Sequence, residues 1–470
     1  MAETKEKKRW FEKIKMPHTY VILITILVIM TLLTHIIPAG QYERVEDPVS
    51  GKMVVVPGSF SFVDTDAPGF FDIFLNLQKG YVDAADIMFL IIFAYGFVYV
   101  LVKNGTMDAA LGTLVRLVGK NVQLMIPIMM ITIGLLSSTM GIFEELYGLF
   151  PVFVGIAVTL GYDAVVGGAI VCLGVIIGYG CGTFNPYTIA IAQDVAGVEL
   201  YSGLGLRVVI LFTFELAAII YVMNYARKVK ADPTKSIMYG EDSSYIKAKS
   251  MDELTGAKMD TRQKICLLIF FATIGGLLYG TLKLGWYIDE IAAMFLMMMI
   301  FVGIVSGYSA TEICKTFIES TKTMVSSMLI VGFTRGILIT MKSGMISDTI
   351  VYYLVSFLSG TSKYVSAYGM LILQNIIKFF ITGSSSQATI TMPIMAPTAE
   401  LIGLSKQIAI LAYQFGNGLA DMFWPTSCAL YCGLMGMPLN KWYRFITPFF
   451  GICFVLEIVF MTIAVMIGYC

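Results

Sequence analysis

The stretch Thr382-Gly383-Ser384-Ser385-Ser386-Gln387-Ala388-Thr389 lies between two apolar segments, residues 364–381 and 390–402. Each segment is shorter than the ~20 apolar residues that a membrane-spanning helix needs. Irregular polar backbone at membrane depth is tolerated only where it is buried in protein or lines a watery cavity. The stretch therefore predicts a re-entrant hairpin, residues 364–402, whose polar tip lines a binding site.

This hairpin has a counterpart in the first half of the chain. A shift of 242 residues pairs Gly141 with Gly383, Pro151 with Pro393, Gly161 with Gly403 and Gly174 with Gly416. A shift of 239 residues pairs Lys103 with Lys342, Gly105 with Gly344, Pro186 with Pro425, Gly197 with Gly436 and Leu200 with Leu439. A competing shift of 201 residues fails outside a short window.

Because the matches keep their order, the sequence predicts a duplicated chain. The N-terminal repeat, residues 1–230, contains a hairpin at 122–160 and a broken helix at 164–200. A cytoplasmic linker follows at 231–257. The C-terminal repeat, residues 258–470, contains the hairpin at 364–402 and a broken helix at 406–436.

The composition indicates an all-α polytopic membrane protein. Hydrophobic residues make up 57% of the chain, charged residues 14%, and the mean hydropathy is +0.79. The net charge of zero gives no sign of nucleic-acid binding. The chain has eight Cys without a CxxC pair, only two His, and no HExxH, GxSxG or P-loop motif. An enzyme is therefore not expected, no cofactor is expected, and a metal site stays unknown.

The apolar runs predict about nine transmembrane helices. These spans are residues 20–38, 84–102, 164–200, 204–226, 264–284, 290–307, 323–341, 406–436 and 445–468. With the N-terminus in the cytoplasm, 22 of the 32 Lys and Arg lie on the inner side, as the positive-inside rule requires. The first hairpin then enters from the cytoplasm and the second from outside, so the repeats are inverted. We expect a multi-pass protein of the cell inner membrane with its C-terminus outside.

Two kinds of segment between the spans carry a structural prediction. The acidic loop 39–83 has several Pro and Gly and is interpreted as an external lid or an interfacial excursion. Residues 105–119 and 344–360 are short and amphipathic, which is typical of helices that lie along the membrane interface.

Four irregular stretches are expected to meet near the membrane midplane: residues 137–145, 182–188, 382–389 and 424–427. Helix breaks next to Pro186 and Pro425 would expose half-helix ends, whose amides attract anions and whose carbonyls attract cations. Paired hairpins with broken helices favour a secondary transporter over a channel.

The strongest candidates for binding chemistry are Glu144 and Glu145, because a carboxylate at the bilayer centre costs at least ~2.5–3.5 kcal/mol. The alternative for this pair is a helix-capping role. Because adjacent residues on a helix point in different directions, only one of the two would face the substrate. Asn417 and Asp421 are four residues apart and share a helix face. A purely structural role for Asp421 stays open. The full set of predicted substrate-binding residues is Glu144, Glu145, Asn185, Thr188, Ser384, Ser385, Ser386, Gln387, Asn417, Asp421, Thr426 and Ser427.

Two basic residues fall within predicted spans. Lys378 has two alternatives. It could contact a carboxylate, which would be that of the substrate, of Glu144 or of Glu145, or it could extend to the membrane surface. Extension to the surface is also an alternative for Arg335. His35, near the outer end of the first span, is expected to pack or lie at the interface rather than bind a ligand.

Several stretches together resemble the YfcC-like branch of the C4-dicarboxylate anaerobic carrier (DcuC-type) family, in the larger ion transporter superfamily. They are KMPHTYVILITILVIMTLLTHIIPAGQYER, GIFEELYGLFP, GTFNPYTIAIAQDVAGVELYSGLGLR, TGSSSQATITMPIMAP and QFGNGLADMFWPTS. The resemblance implies a homodimer in which a mobile domain carrying both hairpins moves by an elevator mechanism against a scaffold. Related dicarboxylate transporters have Ser-Asn-Thr at both tips, whereas this chain has Glu144-Glu145 at one tip and Ser384-Ser385-Ser386-Gln387 at the other.

The acidic first tip decides the predicted substrate. Carboxylates would repel a dianion unless they were protonated or screened, and would attract an ammonium or guanidinium group. We therefore expect an antiporter or ion-coupled symporter of small carboxylate-bearing metabolites. The substrate class expected first is amino acids, basic ones such as arginine exchanged for ornithine included. A Na⁺- or H⁺-coupled C4-dicarboxylate transporter is the alternative. The expected partners are the small-molecule substrate, membrane lipid and a second copy of the chain.

Overall fold

The computed structural model describes residues 19–46, 53–56, 58–107, 109–110, 113, 123–241, 259–284, 286, 288–356 and 362–470. The helices are α1 (Thr19–Ile36), α2 (Phe70–Asp83), α3 (Ala85–Lys103), α4 (Met125–Met140), α5 (Phe150–Thr159), α6 (Ala164–Gly180), α7 (Ile191–Val195), α8 (Leu204–Ala231), α9 (Thr261–Tyr279), α10 (Ile288–Val305), α11 (Ala310–Ser343), α12 (Ser347–Ser356), α13 (Lys363–Phe380), α14 (Ser384–Leu401), α15 (Lys406–Gly418), α16 (Pro425–Met435) and α17 (Leu439–Ile467). Short 3-10 turns lie at Glu144–Leu149, Pro233–Lys235 and Leu419–Met422, and π-turns at Pro186–Ala190 and Gly280–Leu284. Residues 1–18, most of the segment 105–119 and the linker after residue 241 lie outside the described residues.

Several helices are long and apolar enough to cross a membrane. Among the described residues these are Ala85–Lys103, Leu204–Ala231, Ile288–Val305 and Leu439–Ile467. Helix α11 qualifies as a fifth when its two halves, which meet at an angle of 44°, are taken as one span. A multi-pass helical membrane protein is confirmed, whereas the number of nine crossings stays a prediction.

One order of elements occurs twice in the chain. Helices α4 and α5 form one hairpin and α13 and α14 the other; a broken helix follows each, α6–α7 and α15–α16, and then one long helix, α8 or α17. The matched glycines Gly161 and Gly403 have φ angles of 81° and 73°, and Gly197 and Gly436 have 64° and 65°. Residues with a Cβ avoid these angles, so glycine is required at equivalent turns. The repeat boundaries themselves stay a prediction.

The tip of the second hairpin is shorter than predicted. Helix α14 already begins at Ser384, and the connection from α13 is only residues 381–383. The amide of Gln387 donates to the carbonyl of Gly383 over 2.9 Å, which closes the first helical turn. The prediction of irregular backbone over residues 382–389 was therefore wrong from Ser384 onward. The hydroxyl residues instead occupy the first turn of a helix, where amide groups lack intrahelical acceptors.

Apolar side chains divide the molecule into a main core and two smaller ones. The main core is built mostly from both hairpins, both broken helices, α8 and α17. A second core joins α3, α9 and α10, and a third joins α1 and α11. The hairpins and the broken helices thus pack mainly with one another. The turn after the first tip also contacts α3, where a Cβ on Gly148 would lie 3.1 Å from the Ala94 backbone, and α16 contacts α11.

The loop 39–83 contains a helix that the sequence reading missed. Helix α2 packs against α11 so closely that a Cβ on Gly80 would lie 2.3 Å from the amide nitrogen of Gly336. The side chain of Asn76 also donates to the Ser343 hydroxyl, over 3.1 Å. Glycine on both helices permits this close approach, as in other membrane helix pairs.

The rest of this loop docks onto α12. Strand β1 (Gly40–Gln41) pairs antiparallel with β4 (Ser61–Phe62), and β2 (Arg44–Glu46) with β3 (Met53–Val55). Both oxygens of the Asp348 carboxylate accept from Arg44, at 2.7 and 2.8 Å, and one also accepts from the Tyr42 amide. Phe60 stacks on Tyr352 with ring centroids 4.1 Å apart. Burial, and then the Asp348 carboxylate, raise the pKa of the Tyr42 hydroxyl.

The docked loop leads to a prediction. We expect Asp348→Asn to loosen residues 39–62 at a cost of about 1–2 kcal/mol, because the charge-assisted bonds weaken but solvent already screens the partly exposed Arg44. Hydrogen exchange of this segment, followed by mass spectrometry, should speed up. Asp83→Asn is the matched control, because Asp83 pairs with Arg335 over 3.5 Å at a different place. Equal exchange in the two variants would contradict the docking role.

Contacts between loops agree with the predicted sidedness. On the predicted inner side, Lys103 pairs with Glu319 over 2.7 Å, and Lys441 with Glu241 over 2.8 Å. On the predicted outer side, Arg44 pairs with Asp348, and the Tyr469 hydroxyl donates to the Gly203 carbonyl over 2.8 Å. Each of these contacts joins two residues predicted on the same side. The absolute orientation stays a prediction.

Candidate functional site

The first helix break is capped by Asn185. Its side-chain oxygen accepts from the amides of Tyr187 and Thr188, at 2.9 and 3.2 Å, and its side-chain nitrogen donates to the carbonyl of Ser137 at 3.3 Å. Pro186 begins the turn that follows, where its missing amide hydrogen is no loss. Asn185 is fully buried, so this side chain joins the break to the end of α4.

The tip of the first hairpin touches the same break. Gly141 has a φ angle of 71°, and a Cβ there would lie 2.6 Å from the Tyr187 ring and 2.7 Å from the Asn185 side-chain oxygen. Both the conformation and the space therefore require glycine. The amides of Thr183 and Phe184 add bonds of 3.0 and 3.2 Å to the carbonyl of Ser138.

The second hairpin reaches this break from the other side. The Ser385 hydroxyl donates to the Tyr187 carbonyl over 3.2 Å. The Tyr413 hydroxyl donates to the Ser384 carbonyl over 2.9 Å, and the Tyr179 side chain lies close to the Ser384 side chain. The structure thus brings both tips together around the first break, as the sequence predicts.

Tyr179 lies near two carboxylates. Glu144 and Asp421 both interact with it electrostatically, and the same two carboxylates act on Tyr431. Phe143, next to Glu144, packs edge-on against the Tyr179 ring with centroids 4.9 Å apart. Glu144 is partly buried at the start of the 3-10 turn, and the side chain of Glu145 lies outside the described residues.

Lys378 joins the second hairpin to the second break. Its ammonium group donates to the Thr382 carbonyl at 2.6 Å and to the Asn417 side-chain oxygen at 2.9 Å, and lies 3.2 Å from the Asp421 carboxylate. Its side chain is only 1% exposed, so it does not extend to the membrane surface. Asn417 and Asp421 do share one face, and that face holds Lys378.

A second buried network lies one turn earlier on α13. The Gln387 side-chain nitrogen donates to the side-chain oxygen of Gln374 at 2.6 Å, and Gln374 donates to the Thr391 hydroxyl at 2.9 Å. Gln374 was missed in the sequence, although its spacing of four residues from Lys378 places both on one helix face.

Several predicted site residues have buried polar atoms without a hydrogen-bond partner among the described residues. They are the Thr188 and Thr426 hydroxyls, the Gln387 side-chain oxygen and the Asn417 side-chain nitrogen. Buried polar groups are nearly always paired, so such atoms indicate where a ligand would bind. Ser384, Ser385 and Ser427 are partly buried, Ser386 is exposed, and Ser427 hydrogen-bonds with Asp421.

The remaining polar candidates have structural partners. Arg335 pairs with Asp83, at the partly exposed end of α2. A ring nitrogen of His35 hydrogen-bonds to the Thr31 carbonyl over 3.0 Å, which agrees with a packing role. No group of three or more His, Cys, Asp or Glu side chains in the described part of the chain is arranged to hold a metal ion.

A family model described as C4-dicarboxylate anaerobic carrier matches residues 16–466. The chain belongs to this family. Membership places it among membrane transporters rather than enzymes. It confirms both the resemblance seen in the sequence and the prediction that the chain is not an enzyme.

Two relatives match over nearly the whole chain. A putative basic amino acid antiporter of Escherichia coli, YfcC, is 28% identical over 508 residues, which cover 100% of this chain and 99% of that protein. An uncharacterized protein of Haemophilus influenzae is 27% identical over 492 residues and covers 96% of each chain.

Two solved structures match with lower similarity. The YdaH transporter of Alcanivorax borkumensis has a TM-score of 0.44 and 14% identity, with 96% of this chain and 99% of that one covered. MtrF of Neisseria gonorrhoeae, described in a study of antimetabolite efflux pumps, has a TM-score of 0.44 and 19% identity, with 96% of each chain covered.

Proposed function

We propose that this transporter exchanges or co-transports small amino acids, with a preference for basic ones such as arginine and ornithine. The observation that carries the proposal is the charge at the meeting point of the tips. Lys378 is already held by Asp421 and Asn417, so it offers little to a substrate carboxylate. Glu144 adds a carboxylate near Tyr179 at this meeting point, and a carboxylate favours a cationic substrate.

The α-carboxylate of such a substrate needs neutral hydrogen-bond donors. The Thr188 and Thr426 hydroxyls and the Asn417 side-chain nitrogen are buried and without partners among the described residues. The first-turn amides of α14, at Ser384 and Ser385, add donors at the positive end of a helix dipole. We infer that these groups bind the carboxylate, while Glu144, together with Glu145, binds the ammonium or guanidinium group.

The relative whose name describes a putative basic amino acid antiporter supports this assignment. The family description, C4-dicarboxylate anaerobic carrier, supports the alternative, a Na⁺- or H⁺-coupled dicarboxylate transporter. In that alternative the acidic tip would bind the coupling ion rather than the substrate.

The proposed mechanism is an elevator movement. The main apolar core joins both hairpins, both broken helices, α8 and α17, and would move as one body against helices α1, α3, α9, α10 and α11. We further propose inverted repeats, a homodimer in the inner membrane, and a cytoplasmic N-terminus. Cysteine accessibility at positions 144 and 385 tests the arrangement, because free access from the lipid at either position would exclude it.

Counterflow in reconstituted vesicles tests the substrate. We expect arginine or ornithine trapped inside to drive uptake of labelled arginine, and succinate to drive none, with and without Na⁺. Glu144→Gln should weaken arginine exchange at least about tenfold, since removing one charged partner costs about 1.5–3 kcal/mol. Glu199→Gln, in an exposed loop, is the control. If the protein exchanged succinate but not arginine or ornithine, and this exchange persisted in both Glu144→Gln and Glu145→Gln, the cationic-substrate assignment would be excluded.

A further inference from the structure

Two buried glutamates lie in the long helices that follow the broken helices. Glu215 in α8 is 5% exposed and Glu457 in α17 is 0% exposed. None of their four carboxylate oxygens has a hydrogen-bond partner in the described part of the chain. An ionised carboxylate in such a place is strongly unfavourable, because neither water nor a donor compensates its charge. Both groups therefore belong in the protonated form in this conformation.

The two glutamates lie in similar places in the two halves of the chain. Each is in the long helix that follows a broken helix, and each lies beside the first helix of its own hairpin, Glu215 near Gly134 of α4 and Glu457 near Asn375 of α13. The sequence register does not align them, because their separation of 242 residues is the shift of the hairpins, whereas residues 186–200 pair with 425–439 at a shift of 239. A buried acid beside the same helix of both hairpins indicates a function common to the two halves.

Glu215 lies against the first hairpin. One of its carboxylate oxygens would be 2.7 Å from a Cβ on Gly134, so the missing side chain of this glycine provides the space. Arg207, two turns earlier on α8, is no counter-ion, because it donates to Gln414 and Gln407 at 2.6 and 2.9 Å. Helix α4 carries no titratable side chain.

Glu457 lies beside the second hairpin, where it interacts with Asn375. The side-chain nitrogen of Asn375 donates to the Leu371 carbonyl over 3.1 Å, and its side-chain oxygen lacks a donor. A protonated Glu457 can donate to this unpaired oxygen, whereas an ionised Glu457 would depend on the Asn375 nitrogen, which already donates to the Leu371 carbonyl.

The remaining titratable neighbours of the pair are thiols and groups already engaged. Cys181, at the first break, interacts electrostatically with Cys453, Glu457 and Glu215. On α13, Lys378 is held by Asp421, and on α15, the Tyr413 hydroxyl donates to Ser384. Besides the carboxylates, the named neighbours offer a thiol, a glycine and one amide oxygen, that of Asn375, which is fewer than the about six oxygen ligands that a hard cation takes. The chemistry of the site therefore suits a proton.

We propose that Glu215 and Glu457 bind and release the coupling protons of transport, one in each repeat. The O–H bond of the carboxyl group breaks when a conformational change admits water, the proton passes to that water, and the carboxylate is reprotonated from the other side of the membrane. Proton binding needs only the buried pair, whereas the coupling to transport rests on the proposed function.

Infrared difference spectroscopy tests proton binding without a substrate. We expect a pH jump on the full-length protein in lipid to remove the carbonyl band of protonated buried carboxyl groups. Glu215→Gln and Glu457→Gln should each remove part of this signal, and the double variant all of it. Glutamine imitates the protonated acid, so these variants should fold, and Glu199→Gln is the exposed control. A full signal in the double variant would overturn the proposal.

Transport driven by a pH gradient tests the coupling. With the membrane potential held at zero, one pH unit supports about a tenfold accumulation of arginine for each coupled proton. We expect the double variant to lose this accumulation while it keeps arginine counterflow. If the unchanged protein showed no arginine counterflow, the proposed substrate would be rejected. The infrared test of proton binding would still hold, because it uses no substrate. Accumulation that persists in the double variant, or that only a Na⁺ gradient drives, would overturn the coupling role.

Discussion

Lys378→Met is expected to lower the free energy of unfolding by about 3–5 kcal/mol, because it leaves Asp421 as an unpaired buried charge. The Lys378 ammonium and the Asp421 carboxylate are 3.2 Å apart, with side chains 1% and 7% exposed. The double variant Lys378→Met with Asp421→Asn should recover most of this loss, since it removes both charges. The thermal unfolding midpoint in detergent measures the effect.

A surface pair of a lysine and a carboxylate provides the control. Lys406 and Glu400 are 3.7 Å apart, with side chains 28% and 58% exposed. Lys406→Met should therefore cost less than about 1 kcal/mol. Equal stability of Lys378→Met and the unchanged protein would show that Asp421 does not depend on Lys378. Asp421 would then again be available to bind a substrate ammonium group.

The pairing of Lys378 with Asp421 also shows where sequence reasoning reached its limit. The spacing of Asn417 and Asp421 was enough to place them on one helix face, and Lys378 contacts both. The sequence did not reveal which basic residue that face would meet. The contact joins a hairpin to a broken helix about forty residues later, and helical periodicity carries no information about contacts between separate helices.

Local backbone structure was predictable where glycine and proline determine it. The turns at Gly161 and Gly403 and the breaks before Pro186 and Pro425 follow from the special conformations of these residues. The start of α14 did not follow, because a run of serines has low helix propensity and resembles a loop. Helix α2 was missed for a related reason, since its 14 residues are too few for a span and follow a region rich in Pro and Gly.

Glu215 and Glu457 illustrate a different kind of limit. Their positions in the chain are visible in the sequence, but only burial without a partner distinguishes them from glutamates that pair or face a watery surface. The candidate site shows the same pattern. Residue types and spacing located the tips and breaks, whereas the structure was needed to show which side chains are already occupied and which retain unpaired atoms.

Gly418→Val is expected to abolish transport and to destabilise the fold, because the two broken helices cross at glycines. A Cβ on Gly418 would lie 2.1 Å from the Cα of Gly180, and a Cβ on Gly180 would lie 2.9 Å from the Leu419 amide nitrogen. These atoms are backbone, so they cannot move aside as a flexible side chain does. Gly180 and Gly418 each end the first half of a broken helix, so separating them would displace both breaks from the hairpin tips.

The cost of this overpacking should reach or exceed the usual 1–3 kcal/mol, since the whole backbone of one half-helix must shift. Gly451→Ala is the matched control: this glycine lies in α17 with nothing within 4 Å of the added Cβ. There alanine should stabilise the helix by up to about 1 kcal/mol and leave arginine counterflow unchanged. The thermal midpoint and the counterflow rate should therefore both fall in Gly418→Val. In Gly451→Ala the midpoint should stay the same or rise, and the counterflow rate should stay unchanged. A fully active, stable Gly418→Val protein would show that the half-helices do not need this close crossing, and the packing that brings the two breaks to the tips would have to come from the hairpins alone.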